Sequence, residues 1–458
     1  MSFGSNILKY KQEILNDLDV LIAIPSCAIH NPQNVDYPYG KECKTALEWI
    51  LNRAQGMNLI TKNINNYAGH AEYGEGEGYC AVLTHLDVVP GGDGWRTNPF
   101  SLIQKNSKLF GRGVVDDKGP AIISLYCLKA LKDQKIVGKR KIRTIFGSGE
   151  EVGMKDMGVY FKSESLPDLA FTPDSCYGIC NREKGSLKIE FVSGFVEGKI
   201  KKISSGTVAN AVPGNATAIL DITQEEMDEI LKFLQKTSIN YKHEKINGNF
   251  KLEVFGVSAH ASQPSEGKNA AAILLDLLGK FFENTGSNVI DFLNRFVGIE
   301  IYGESMGIAQ SDKESGPLTL NFGVLKVGNG RSEAVIDIRY PVTSNGKEIV
   351  GILTKNARIM GVKTLLLNDM IPMNVSGDSK IVRVLKKSYK EIVGENADVV
   401  STGGGSYART LKDRGVSFGP TFKTEENGIH QANESMSIEK FFLHAQICLE
   451  AMKKMLEF

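Results

Sequence analysis

The sequence predicts an α/β protein built as a discontinuous main domain, residues 1–185 and 372–458, interrupted by an inserted α+β domain, residues 186–371. Three observations predict it. Strand-like apolar runs alternate with helical patterns up to about residue 185, the rhythm of a mostly parallel sheet. Apolar–polar alternation then takes over, as expected of antiparallel strands with one face in water. The first pattern returns after residue 371, and 458 residues are too many for one ordinary core.

The elements follow in order. Residues 1–20 mix Lys, Glu and Asp with Ile and Leu and read as an amphipathic surface helix. Residues 80–84 are continuously apolar up to Thr84, as in a strand buried on both faces. A Gly/Pro/Trp loop spans 90–99, and residues 119–131 carry Ala, Ile and Leu at helical spacing. Residues 143–146 and 169–171 read as further strands. In the insert, residues 186–192 and 251–255 alternate, with helical patterns over 224–234 and 270–282. Residues 397–400 read as a buried strand ending in a Gly-rich loop, and 437–456 as a closing helix. No short repeat or low-complexity tract interrupts this pattern.

Bulk properties narrow the function. With 54 basic and 53 acidic residues the net charge is +1, so no global field recruits nucleic acid or an anionic membrane. The amino terminus lacks the apolar core of a signal peptide, and no segment offers the roughly 18 apolar residues of a membrane span. The seven cysteines are scattered and odd in number; Cys176 and Cys180 are the closest pair, with no second pair to complete a zinc knuckle. Reduced thiols in a cytoplasmic protein are the expectation.

Several polar residues stand where the predicted strands end. His85-Leu86-Asp87 closes the 80–84 strand, with His85 and Asp87 on the same side of an extended chain. Open α/β sheets place their sites at this edge. An imidazole that binds a metal usually needs a carboxylate to hold its ring, and Asp87 is a candidate. Asp116 and Asp117 lie in a Gly-flanked turn before a helix. They could cap that helix and compensate its dipole, or one carboxylate could bridge two cations. Glu150 and Glu151 follow the 143–146 strand between glycines, either as a solvated loop or as like charges needing a cation. Asp174 lies just past another strand, and His430 follows a late loop.

His85, Asp116, Glu151, Asp174 and His430 thus form a candidate set of two imidazoles and three carboxylates. Its charge suits two divalent ions, and mixed N/O donors suit zinc first, manganese or cobalt as well. A bridging carboxylate would set the ions about 3.5–4 Å apart, as in two-metal hydrolases. Glu150 is left over, free to accept a proton from water acidified by the cations.

His85-Leu86-Asp87, the Gly111–Gly119 turn with Asp116-Asp117, Gly149-Glu150-Glu151 and Pro173-Asp174-Ser175 occur in an order that resembles the peptidase family of aminoacylase, carboxypeptidase G and succinyl-diaminopimelate desuccinylase. Within it, the run from Glu72 to Gly78 and the Gly-rich run from Ser401 to Arg409 look like the PepV-like dipeptidases related to carnosinases. The resemblance covers essentially the whole chain. It implies a zinc-peptidase-like catalytic domain carrying an enlarged, ferredoxin-like lid domain. It implies that Asp116 bridges the ions, His85 and Asp174 hold one, and Glu151 and His430 hold the other. Asp87 would orient His85, Glu150 would be general base and acid, and the Asp116–Asp117 peptide would be cis. His260 and Asn210 of the insert would stabilise the oxyanion. A site divided between two domains implies closure over the substrate. The enlarged insert supplies its histidine within one chain, which implies a monomer, and the substrate would be a dipeptide.

Two further readings concern substrate binding. Arg339 stands on a predicted strand, and its planar fork suits a substrate carboxylate, or a salt bridge inside the insert. The loop Gly403-Gly404-Gly405-Ser406 lacks P-loop and dinucleotide spacing. Its amides could cradle an anion, or it could be a plain tight turn. An N-acyl amino-acid deacylase is the nearest alternative activity, since the same metal chemistry would serve it. The absence of a Gly-x-Ser-x-Gly elbow argues against a serine hydrolase.

Overall fold

The computed structural model describes residues 2–458 and divides into two compact units. One comprises the chain up to Arg182 together with Met373–Ser401 and Gly405–Phe458; the other comprises Glu183–Pro372 and Thr402–Gly404.

The first unit is built on a mixed sheet. Its strands lie in the order Ile60–Ile64, Ala68–Tyr73, Lys141–Gly147, Tyr79–His85, Leu169–Thr172, Gly415–Phe418, Ile179–Glu183 and Met373–Asn374. The central pairings, 141–147 with 79–85, 79–85 with 169–172 and 169–172 with 415–418, are parallel; the flanking ones given by 60–64, 68–73 and 179–183 are antiparallel. Every residue of Tyr79–His85 is buried, as its unbroken apolar run predicts for a strand covered on both faces. The helix Lys118–Asp133 is buried almost all round, packing on the sheet and on the carboxyl-terminal helix Ile438–Leu456. Such a helix must be apolar on every face, and Ala121, Ile122, Ile123, Leu125 and Leu128 make it so.

Two elements differ from the sequence expectation. The amino-terminal helix opens as a 3-10 helix, Phe3–Tyr10, before becoming α-helical over Lys11–Ile22; Met1 lies outside the described residues. Its Gly4 lies so close to the carboxyl-terminal helix that a Cβ there would collide with the Gln446 carbonyl, and its amide donates to Glu450 Oε2 at 2.8 Å. The late strand is Val399–Thr402 and is half-buried to exposed, because it is a branch off the main strand order, paired with 179–183.

The second unit is built on an antiparallel sheet of eight strands: Asn240–Ile246, Asn249–Phe255, Asn215–Leu220, Ile200–Ser205, Thr319–Gly328, Arg331–Tyr340, Gly185–Gly194 and Lys363–Met370. Alternate residues such as Leu187, Ile189 and Phe191 point to a core shared with the helices Gln224–Leu234, Ala270–Phe281, Asn288–Phe296 and Gly346–Ile359. Thr223 and Glu226 form a reciprocal capping box at the start of Gln224–Leu234.

Candidate metal centre and active site

The carboxyl ends of the parallel strands carry the candidate residues. His85 ends strand 79–85, Glu150 and Glu151 lie just past strand 141–147, and Asp174 lies two residues past strand 169–172. Asp116 lies in the turn before the Lys118 helix, and its peptide to Asp117 is cis. His430, in a loop after Thr421, takes a left-handed backbone with φ 60°. Side-chain donors gather in two groups sharing Asp116: His85, Asp116 and Asp174 in one, Asp116, Glu151 and His430 in the other.

The two oxygens of Asp116 face different histidines. Oδ1 is 2.9 Å from His85 Nε2, and Oδ2 is 3.1 Å from His430 Nε2, which is also 3.0 Å from Glu151 Oε1. The His85 ring is oriented by its Nδ1, 2.9 Å from the Asp87 carbonyl. A carbonyl only accepts, so Nδ1 carries a proton and the ring turns Nε2 toward Asp116. Buried Nε2 and Asp116 Oδ1 accordingly lack a hydrogen-bond partner although they are neighbours. Two acceptors so close call for a positive charge, either a second ring proton or a cation. Around a tetrahedral cation with bonds of about 2.1 Å, ligand atoms lie about 3.4 Å apart, within a few tenths of the observed spacing. The donor set therefore fits divalent ions of the zinc type.

Electrostatics point the same way. Burial pushes the Asp116 carboxyl up, but His430 and His85 hold it below the usual carboxylate range. Burial lowers His430, yet Asp116 and Glu151 hold it up to about 11. Glu150 is driven well above the ordinary carboxylate range by burial and by Asp174 and Glu151 nearby.

The capping alternative for the Asp pair fails. Asp117 is the residue before the helix, but its side chain makes no cap bond; instead Oδ2 accepts the His85 amide at 3.1 Å. The expected role of Asp87 shifts. Its carboxylate lies 3.5 Å from His85 Nδ1, too far for a hydrogen bond, while its two oxygens accept the amides of Glu150 at 3.2 Å and Glu151 at 3.0 Å. Asp87 therefore orients His85 through its backbone and ties down the glutamate loop through its side chain. That loop also needs Gly149, where a Cβ would collide with the Tyr39 ring.

In the second unit, His260 is exposed, and its Nδ1 accepts from the Ser262 amide at 3.2 Å while lying 2.7 Å from Ser262 Oγ. That bond makes Nε2 the protonated nitrogen, the tautomer able to donate to an anion. Asn210 is exposed on the neighbouring segment, its carbonyl accepting the Ala261 amide at 2.9 Å.

Arg339 makes an ion pair within its own unit. Its fork grips Asp337 through Nε at 2.6 Å and Nη2 at 3.0 Å, while Nη1 donates to the Gly403 carbonyl at 2.9 Å. Residues two apart on a strand share a face, so Asp337 was placed to take the fork. The Gly-rich loop makes several bonds of its own. The Gly404 amide donates to Thr402 Oγ1 at 3.0 Å, and Ser406 Oγ pairs with Ser417 Oγ at 2.6 Å and caps the Ala408 amide. A Cβ on Gly403 would meet Ser262 Cβ at 2.7 Å, and one on Gly405 would meet the Arg409 guanidinium at 3.0 Å. These bonds describe a packed turn rather than an open cradle of amides at Gly404 and Ser406. Sequence reasoning also missed Glu434, whose carboxylate lies beneath the Asp116 turn; the motif register offered only its place four residues after His430.

A mixed, centrally parallel sheet with clustered histidines and carboxylates at its carboxyl edge is the architecture of a metallohydrolase-type α/β protein. Residues 81–454 match the family model described as Peptidase family M20/M25/M40, and the chain belongs to this family. It is similar to "Putative dipeptidase YtjP" of Bacillus subtilis (strain 168), 33% identical over 99% of this chain and 100% of that protein. It is also similar to "Putative dipeptidase SH1171" of Staphylococcus haemolyticus (strain JCSC1435), 31% identical over 97% of each. The fold is shared with human carnosine dipeptidase 1, with a TM-score of 0.64 at 13% identity over 99% of this chain and 98% of that one. It is likewise shared with the di-peptidase Dug1p of Saccharomyces cerevisiae, with a TM-score of 0.62 at 15% identity over 99% and 98%. Among the described residues, no helix is long and apolar enough to cross a membrane.

Proposed function

We propose that this protein is a metal-dependent dipeptidase with a dinuclear centre. The observation that carries the reading is the Asp116 carboxylate, whose two oxygens face His85 and His430 separately at 2.9 and 3.1 Å. His85 and Asp174 would hold one ion, Glu151 and His430 the other, and Asp116 both. Two divalent ions, zinc first with manganese and cobalt compatible, would polarise the scissile carbonyl and acidify water.

The chain's own groups do the rest. Glu150, raised by burial and by Asp174, takes the proton of the attacking water and passes it to the leaving amine. His260 donates through Nε2 to the developing oxyanion, with Asn210 as the second donor. Arg339 and the loop from Gly403 to Ser406 serve substrate binding indirectly, Arg339 holding the Gly403 carbonyl in place. The relatives' names favour free dipeptides over N-acyl amino acids. We read the protein as a cytoplasmic monomer.

The test is a substrate panel with the metal-loaded protein: unblocked dipeptides beside N-acetyl and N-succinyl amino acids. Dipeptides should be hydrolysed with the higher kcat/KM. Preference for the acylated compounds would replace the dipeptidase reading by a deacylase, and no turnover of either would remove both.

A further inference from the structure

Glu434 is a fully buried carboxylate outside the candidate ligand set. A short antiparallel pairing, Phe110 with Ser435, Leu109 with Met436 and Lys108 with Ser437, brings it against the turn that carries Asp116. The backbone joins first, the Gly111 amide donating to the Glu434 carbonyl at 3.2 Å. The side chain then collects the amides of Gly113 at 3.1 Å, Val115 at 2.9 Å and Asp116 at 3.2 Å. Its remaining partner is Arg112 Nη1 at 2.8 Å. Arg112 is itself buried, with Nη2 reaching the carbonyls of Pro90 and Gly91 at 3.2 and 3.4 Å.

A buried anion is costly unless it is paired and hydrogen-bonded, and this one has both kinds of partner. Its two oxygens spend their acceptor capacity on the one turn that carries Asp116. Glu434 also follows His430 by four residues, so one side chain links the turn bearing Asp116 to the loop bearing His430.

We propose that Glu434 is a positioning residue of the metal centre: by gripping the amides of Gly113, Val115 and Asp116 together with Arg112, it fixes the Asp116 carboxylate relative to His430 and sets the affinity for the ion those two share. The inference rests on the reading of Asp116 and His430 as ligands. Groups that orient metal ligands typically contribute 10–100-fold in metal affinity. Gln at 434 would keep one acceptor oxygen but turn an NH2 toward donors that need an acceptor.

The experiment titrates metal-free full-length protein with Co2+, wild type beside Glu434→Gln, following calorimetric stoichiometry, stepwise affinities and the visible spectrum of bound Co2+. Wild type should take two ions. The variant should bind one with little change and the other 10–100-fold more weakly, with an altered spectrum, and excess Co2+ should restore much of its dipeptide turnover. Glu434→Asp, which keeps the charge on a shorter stem, should show a smaller loss in the same step, and it replaces the Gln variant as the test should that variant not fold. Two ions bound by the folded variant with wild-type affinities and spectrum would overturn this inference alone. Fewer than two ions bound by wild type would overturn the dinuclear reading, and this inference with it.

Discussion

Asp87→Asn separates the two tasks that converge on one residue. The substitution leaves the Asp87 carbonyl, and with it the 2.9 Å contact to His85 Nδ1, unchanged. It replaces one carboxylate oxygen by an amide nitrogen, which cannot accept from the amides of Glu150 or Glu151, now bonded at 3.2 and 3.0 Å. A hydrogen bond to a charged group contributes about 1.5–3 kcal/mol, and a buried donor left unpaired adds to the loss. At about 1.4 kcal/mol per factor of ten, the glutamate loop loses roughly 10–100-fold of its restraint. The expected outcome is a loss of that size in the affinity of the ion held by Glu151, and at least as large a fall in kcat/KM. Competition with a chromophoric chelator reads the first. Nitrogen NMR of selectively labelled histidine reads the His85 tautomer, which should remain Nδ1-protonated in the metal-free variant. Loss of that tautomer with unchanged affinity at the Glu151 site would show that the carboxylate orients His85 after all.

Two further outcomes follow from the same geometry. His444 is buried with Nδ1 2.8 Å from Tyr177 Oη, and burial lowers its pKa from 6.5 to about 3. A depressed folded-state value means that its contribution is intact above pH 6.5 and is lost as acid protonates the unfolded chain, by about 2 kcal/mol at pH 5. Urea unfolding of the metal-free protein at pH 7 and pH 5 should show this difference shrink by about that amount in His444→Gln; an undiminished difference would place the acid sensitivity elsewhere. Gly149→Ala should keep the fold by circular dichroism but lower kcat/KM by about a hundredfold, because the new Cβ must displace Tyr39 or the loop carrying Glu150. A wild-type rate would mean that the loop tolerates that shift.

What was legible in the sequence was local. Tyr79–His85 declares itself by an unbroken apolar run, and the ligands mark the ends of such runs because the parallel sheet exposes only its edges. The site residues that escaped depend on pairings distant in sequence. Glu434 acquires its role from a three-residue ladder with 108–110, over 300 positions away, which no periodicity encodes. The split of Asp87 into a backbone task and a side-chain task requires strand 141–147 to lie beside strand 79–85. Arg339 is a different case. Asp337 stands two residues earlier on the same strand face, so the ion pair it makes was visible in the sequence. The order of the eight antiparallel strands was not legible, because alternation fixes which face is buried but not which strand is the neighbour.

The central claim is that hydrolysis depends on two cations gathered around Asp116. Dipeptide turnover measured while metal-free protein is refilled with Zn2+, Mn2+ or Co2+ tests it most directly. Activity should be absent at the start and reach its plateau only as the second equivalent binds. Full turnover by the metal-free protein, or a plateau at one equivalent, would contradict it.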